Sequence, residues 1–359
     1  SFHLGSSASA ACLWFLWLHS VAMELSAFSS VAPEPRGISW ERTVWQVRRP
    51  GGRQVLPSGG ATGPGVHGTT CFLVASVFAG LVACRLRGSG ARRRKSANMV
   101  RNAAVASKGA TLSDGRKYHV FSNDAAVAEH ICASVRKLMV SAIAEKGAFA
   151  MSIGSGTTVA PLQGLGGAKD IDFSRVHVFF GNDRTSGDSA GKCFAGAREF
   201  VEACGIPALN VHAIGAGDPE EMAAKYENHI LGMPPEVVAR CARNGCAALD
   251  LFLLGSGADG HTASLYPGSS QVLNPGGCLV LSAEGKGGVT ASIEYISSAR
   301  QVIISAGKAS QANVVAIALG RADAASNTEC PVGMISVAEG TGVDWLLTES
   351  SAAELLKVV

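Results

Sequence analysis

Hydrophobic and polar positions divide the chain into two unlike parts. From about Asp114 onward, short apolar runs alternate with segments of helical spacing. Ala125–Ala144 carries apolar residues at Val127, Ile131, Val135, Leu138 and Ile143, the roughly 3.6-residue period of a helix with one buried face. Tyr118–Phe121, Phe149–Ile153, Val176–Phe180, Asn210–Ile214, Leu249–Leu254, Cys278–Leu281, Val302–Ser305, Ile335–Val337 and Trp345–Leu347 read as strands. Further helices are predicted over Ala190–Ala203, Asp218–Ile230, Ala309–Leu319 and Ser350–Lys357. Asp218 is a natural N-cap, with Pro219 in the first turn. This alternation over residues 114–359 predicts an α/β domain, a mostly parallel sheet with helices on both faces.

Residues 1–113 follow no such pattern. Two apolar segments, Ala8–Met23 and Thr69–Cys84, flank a Gly/Pro/Arg-rich tract. The first has the length of a signal-peptide core but lacks a basic n-region, and the sequence opens at Ser1. The second has 16 residues, short for a bilayer span, which needs roughly 20. Arg85, Arg87 and the run Arg92-Arg93-Arg94-Lys95 follow it.

The net charge of +3 hides an asymmetry. Residues 1–113 hold 13 basic and 3 acidic groups, whereas 114–359 hold 18 basic and 25 acidic. Arg- and Ser-rich, acid-poor sequence is the composition of organellar transit peptides, and the whole arrangement resembles the bipartite leaders of secondary-plastid algae. A poorly structured targeting leader over 1–113, a catalytic domain over 114–359 and plastid localisation are therefore expected. The alternatives are a cytoplasmic protein translated from Met99 and a membrane anchor. The basic cluster lies in sequence too irregular to present a groove-reading element, so nucleic acid is not an expected partner. Ten cysteines lack metal-type spacing, and the seven from Cys132 onward are odd in number. They read as buried thiols in a reducing compartment.

Candidate chemistry collects at strand ends, where open α/β sheets bind ligands. The run Leu249–Leu254 stops at Gly255-Ser256-Gly257 and is followed by Asp259, Gly260 and His261. An imidazole suits general-base work, and a carboxylate two residues away can set its tautomer. The glycines can offer N–H groups to a developing oxyanion; a capping Asp with a satisfied His is the bland alternative. Water is the more natural nucleophile for a base in this loop. Ser152–Thr158 (SIGSGTT) fits a phosphate cradle or a bare turn, being neither a P-loop nor a dinucleotide fingerprint. Asn182-Asp183-Arg184 fits either an anion-binding Arg oriented by Asp183 or a surface ion pair. His177, His212 and His229 read as structural.

GSGADGHTASLYPG (Gly255–Gly268) resembles the G-x-G-x-DGHTASLFPG signature of 6-phosphogluconolactonases, within the glucosamine-6-phosphate isomerase/6-phosphogluconolactonase family. SIGSGTT, FFGNDR (Phe179–Arg184), IPALNVHAI (Ile206–Ile214) and VDWLLTESSAAEL follow the same family order, from about Tyr118 to Val359. The resemblance implies a Rossmann-like fold of the glucosamine-6-phosphate isomerase type. It also implies hydrolysis of 6-phospho-D-glucono-1,5-lactone, the second step of the pentose phosphate pathway, without metal or organic cofactor. His261 would be the base, Asp259 its orienter, and Gly154, Ser155, Gly156, Thr157, Asp183, Arg184 and Lys308 the substrate-binding residues. The only expected partner is the sugar-phosphate lactone, with no stable membrane association of the mature protein, and the expected state is a monomer.

Three departures stand out. Asn182 replaces the first acid of the family's DER-type motif. Gly288 stands before Val289-Thr290 where the family usually has an Arg, with Lys286 as the nearby substitute. The family Lys of G-x-x-K-A aligns with Lys308 or, in another register, with Gln311. The rivals are a glucosamine-6-phosphate deaminase/isomerase, whose loop reads DGHIAFNEP instead of Thr262-Ala263-Ser264-Leu265, and a sugar-phosphate-binding regulator without catalysis.

Overall fold

Apolar runs with no polar break must be buried on both sides, and here they line up in a single seven-stranded sheet. The chain is seen in a computed structural model that describes residues 108–273, 277, 279–283, 285–336 and 342–358. Both apolar segments of the leader, its basic cluster and Met99 lie outside the described residues, as do Cys278 and Val337 at the ends of two predicted strands.

In chain order the strands are β1 (Lys108–Thr111), β2 (Lys117–Phe121), β3 (Phe149–Ile153), β4 (Val176–Phe180), β5 (Asn182–Arg184), β6 (Ala239–Arg240), β7 (Ala247–Ala248), β8 (Leu251–Gly255), β9 (Val280–Ala283), β10 (Gly288–Ala291), β11 (Gln301–Ala306) and β12 (Gly342–Thr348). The helices are α1 (Asp124–Lys146), α2 (Lys192–Gly196), α3 (Arg198–Cys204), α4 (Pro219–Leu231), α5 (Ser270–Leu273), α6 (Ile293–Ser297) and α7 (Ala312–Gly320). The main sheet runs β1-β2-β12-β11-β8-β3-β4, with only β1 antiparallel to its neighbour. A smaller antiparallel sheet, β5-β10-β9, stands beyond the end of β4, and β6 pairs with β7.

Helix α1 shows how the sequence sets the layers. Asn123 caps it by accepting from the Ala126 amide at 3.0 Å, and Gly147 ends it in the left-handed region. Val127, Ile131, Val135, Met139 and Ala142 form its buried face. Its last residue, Lys146, reaches the buried Asp250 at 2.9 Å, just ahead of β8. Asp250 also accepts from the Ala150 amide at 2.8 Å and lies 3.6 Å from Arg300, just ahead of β11. One carboxylate thus locks together the start of β8, β3, β11 and the end of α1.

Several elements differ from expectation. The sheet begins at Lys108, ahead of residue 114, because Lys108–Thr111 folds back onto β2. The Ala190–Ala203 helix is divided into α2 and α3 around Gly196-Ala197. Asn210–Ile214 is not a ladder strand; only Val211 bridges, to Val178. Ile335 ends a 3-10 turn started by Pro331, and of Ser350–Lys357 only Leu355–Lys357 forms a 3-10 turn. Strand β10, short and led by a glycine, was not anticipated.

The histidines read as structural form a chain. His177 Nδ1 lies 3.1 Å from His212 Nε2, and His212 Nδ1 lies 2.9 Å from His229 Nε2. Three neutral imidazoles satisfy this chain, its two N–H groups donating in the same direction. Burial, and then the neighbouring His229 and His177, push His212 down to about 3, while burial lowers His177 and His229. Because these folded values are depressed, the stabilisation is complete above the ordinary value of about 6.5 and is lost as pH falls below it. Acidification from about pH 7 to about pH 4 should therefore lower the melting temperature. His212→Phe, which keeps the stack on Phe179, should flatten that dependence by up to about 1.4 kcal/mol per pH unit. A variant profile parallel to the parent's would contradict this.

Candidate active site

Strand β8 is buried from Leu251 to Leu254 and surfaces at Gly255. The chain then curls on itself. The Gly257 amide donates to the His261 carbonyl at 2.8 Å, the Gly260 amide to Gly257 at 3.2 Å, and the Thr262 hydroxyl to Gly255 at 3.0 Å. Ala263 takes φ 51, a left-handed conformation uncommon outside glycine and typical of functional sites. The Gly257 and Gly260 N–H groups are spent on the loop itself, so they are not the free donors expected for an oxyanion. In exchange, they brace the loop.

This turn presses His261 against Asp259, with Nδ1 and Oδ1 2.5 Å apart. Asp259 Oδ1 also accepts from the His261 amide at 3.2 Å. Burial raises the Asp259 pKa, but the hydrogen bonds from the His261 amide and ring outweigh it and leave the carboxyl below its ordinary value. A carboxylate on Nδ1 selects the tautomer that carries its proton there, which leaves Nε2 as the acceptor. A Cβ on Gly257 would overlap both His261 Nδ1 and Asp259 Oδ1, so only glycine leaves room for the pair.

His261 opens into a cavity of about 360 Å³ lined also by Gly154, Ser155, Asn182, Arg184, Lys192 and Tyr266. The sheet order explains this gathering: β11, β8, β3 and β4 are neighbours, and their carboxyl ends share one edge. Asn182 Nδ2 donates to Ser264 Oγ at 3.1 Å, and the Ser264 amide donates to Thr290 Oγ1 at 3.1 Å. These bonds tie the β4 and β10 ends to the His261 loop. The His261 and Tyr266 rings lie 4.8 Å apart.

Asp183 does not orient the Arg184 guanidinium as expected. It is 3% exposed and accepts from the amides of Arg184 (2.8 Å), Cys193 (2.9 Å) and Phe194 (3.0 Å), capping α2. Burial raises its pKa against those hydrogen bonds. Arg184 Nη1 donates instead to the Lys286 carbonyl at 2.5 Å.

Thr157 and Lys308 line an adjoining cavity of about 530 Å³, which shares Ser155, Thr158, Gly255 and Ser256 with the first. Between them the Gln311 side chain donates to the Ser256 carbonyl at 2.5 Å and accepts from the Lys308 amide at 2.7 Å. Gln311, not Lys308, therefore supports the His261 loop. Gly156, at φ 83, shapes the turn between Ser155 and Thr157.

Sequence reasoning missed Lys192 and Tyr266 as site residues, and named Ser264 and Thr290 only as parts of motifs. Tyr266 lay inside the recognised motif; Lys192 carried no signal, since α2 brings it to the cavity only through the Asp183 cap. Among the described residues, no group of three or more His, Cys, Asp or Glu is placed to hold a metal, and no helix is long and apolar enough to cross a membrane.

Residues 122–345 match the family described as glucosamine-6-phosphate isomerases/6-phosphogluconolactonase. A 6-phosphogluconolactonase of a Nostoc species is 32% identical over 169 residues, 45% of this chain and 68% of that protein. A rice protein (Oryza sativa subsp. indica) named "Probable 6-phosphogluconolactonase 3, chloroplastic" is 32% identical over 160 residues, 43% of this chain and 49% of its own length. The solved 6-phosphogluconolactonase of Trypanosoma cruzi superposes with a TM-score of 0.54 at 18% identity, covering 68% of this chain and 98% of that one, and shares the fold. The chain belongs to the glucosamine-6-phosphate isomerase/6-phosphogluconolactonase family.

Proposed function

We propose that this chain hydrolyses 6-phospho-D-glucono-1,5-lactone to 6-phospho-D-gluconate in the pentose phosphate pathway. The observation that carries the reading is the His261–Asp259 pair, 2.5 Å apart, facing a cavity whose other walls carry Arg184 and Lys192. His261 Nε2 takes a proton from water as the water oxygen bonds to the lactone carbonyl carbon. The resulting oxyanion collapses, the ring C–O bond breaks, and the imidazolium returns its proton to the departing ring oxygen. Asp259 holds the tautomer and stabilises the imidazolium between these steps. Gly154, Ser155 and Arg184 bind the sugar phosphate, with Thr157 and Lys308 at the adjoining cavity. Asp183 acts by fixing the backbone of Arg184.

The lactonase reading is preferred to a deaminase because Thr262 and Ser264 serve this loop specifically. Thr262 bonds to Gly255, and Ser264 links Asn182 to Thr290. Plastid delivery is supported by the acid-poor, Arg-rich leader and by the chloroplastic name of the rice relative.

Full-length protein should accelerate the decay of freshly made 6-phosphogluconolactone, followed by ³¹P NMR. His261→Ala should lower that rate by roughly 10²- to 10⁴-fold at unchanged melting temperature. Decay no faster than in buffer would remove the enzyme reading and leave a sugar-phosphate-binding regulator. A fluorescent reporter carrying residues 1–113 should collect in plastids of an algal host; a diffuse cytosolic signal would contradict plastid delivery.

A further inference from the structure

We propose that Lys286 is a substrate-binding residue that grips the anionic end of the substrate together with Arg184, delivered from the β9–β10 turn instead of from a strand. This rests on the reading of the His261 cavity as a sugar-phosphate site.

The β5–β10 pairing sets the constraint. Gly288 lies opposite Arg184 in the ladder, and a Cβ there would overlap the Asp183 carbonyl and lie 3.2 Å from the Arg184 Cα. No side chain, and so no cation, can be carried at position 288 without moving β5. The turn just before it has no such limit. Gly285 and Gly287 take φ 65 and φ 61, which only glycine adopts readily, and Lys286 stands exposed between them. The turn is pinned where it is needed, because the Gly287 carbonyl accepts from the Thr185 amide at 2.9 Å and the Ser186 amide at 3.2 Å.

The side chain points toward the chemistry. Lys286 Nζ lies 4.9 Å from the centre of the Tyr266 ring, whose other neighbour is the His261 ring at 4.8 Å. Its own carbonyl receives the Arg184 guanidinium, so both cations are held at the same corner of the cavity. Arg116, Arg136, Lys146 and Arg300 each meet a carboxylate, whereas among the described residues Arg184, Lys192 and Lys286 have no ion-pair partner. An uncompensated group of cations around one corner calls for an anion, and an ammonium resting on an aromatic face is free to turn from the ring to a phosphate oxygen.

A contact at the phosphate, remote from the carbonyl, is made equally in the ground and transition states and so acts on KM. In the full-length protein, Lys286→Ala should raise KM for 6-phosphogluconolactone by roughly 10- to 100-fold with kcat little changed. Lys286→Arg should recover most of the loss, and hydrolysis of unphosphorylated glucono-1,5-lactone should be unaffected. Binding is measured separately, by titrating the same variants with 6-phosphogluconate and with inorganic phosphate. Weaker binding in Lys286→Ala, restored in Lys286→Arg, supports the assignment even if no lactone is turned over, in which case only the enzyme reading fails. Parent-like affinity for both ligands in Lys286→Ala overturns it, whatever the activity.

Discussion

Everything in this domain depends on β8 being dry on both faces. Leu251, Phe252 and Leu253 are fully buried, each contributing roughly 1.5–3 kcal/mol by leaving water. Such a strand admits no polar side chain along its length, so polar chemistry is confined to its two ends. At one end Asp250 gathers Lys146, Arg300 and the Ala150 amide. At the other the backbone breaks into Gly255-Ser256-Gly257 and delivers His261. Shifting the strand by one residue would pull Asp250 away from Lys146 and Arg300 and misplace the second group. The ion-pair cluster at one end thereby fixes the register of the base at the other.

The two kinds of charge at the site are treated differently. Asp259 is committed to His261 and is held below its ordinary pKa by that contact. Asp183 is buried and committed to backbone amides. Among the described residues the cations Arg184, Lys192 and Lys286 have no carboxylate partner, while Asp259 lies behind the imidazole. That polarity favours an anionic ester: the remote anion anchors it, and the base faces its carbonyl.

Strands β3, β4, β8 and β11 were legible because they are largely apolar runs ended by glycine, and α1 because Val127, Ile131 and Val135 repeat at helical spacing. The His261–Asp259 pair was legible because two residues of separation in a tight loop leave few arrangements. The β5-β10-β9 sheet was not, since Asn182–Arg184 and Gly288–Ala291 are short and take their meaning only from each other. The role of Asp183 misled for a related reason. Its neighbour in sequence is Arg184, but burial sends its carboxylate to the amides of α2, ten residues on. The chain of His177, His212 and His229 was identified as structural, yet its connectivity depends on β4, the Val211 bridge and α4 meeting in space. Gln311 and Lys308 could be told apart only once the 3-10 turn Ala309–Gln311 placed the Gln311 amide against Ser256.

The central claim is that the carboxylate beside the imidazole makes it a base. The most direct test is steady-state lactone hydrolysis by Asp259→Asn, which keeps the shape but can neither stabilise an imidazolium nor enforce the Nδ1–H tautomer. A fall in kcat of at least about 10-fold, with KM and melting temperature unchanged, is the predicted result. A kcat equal to that of the parent would contradict the account.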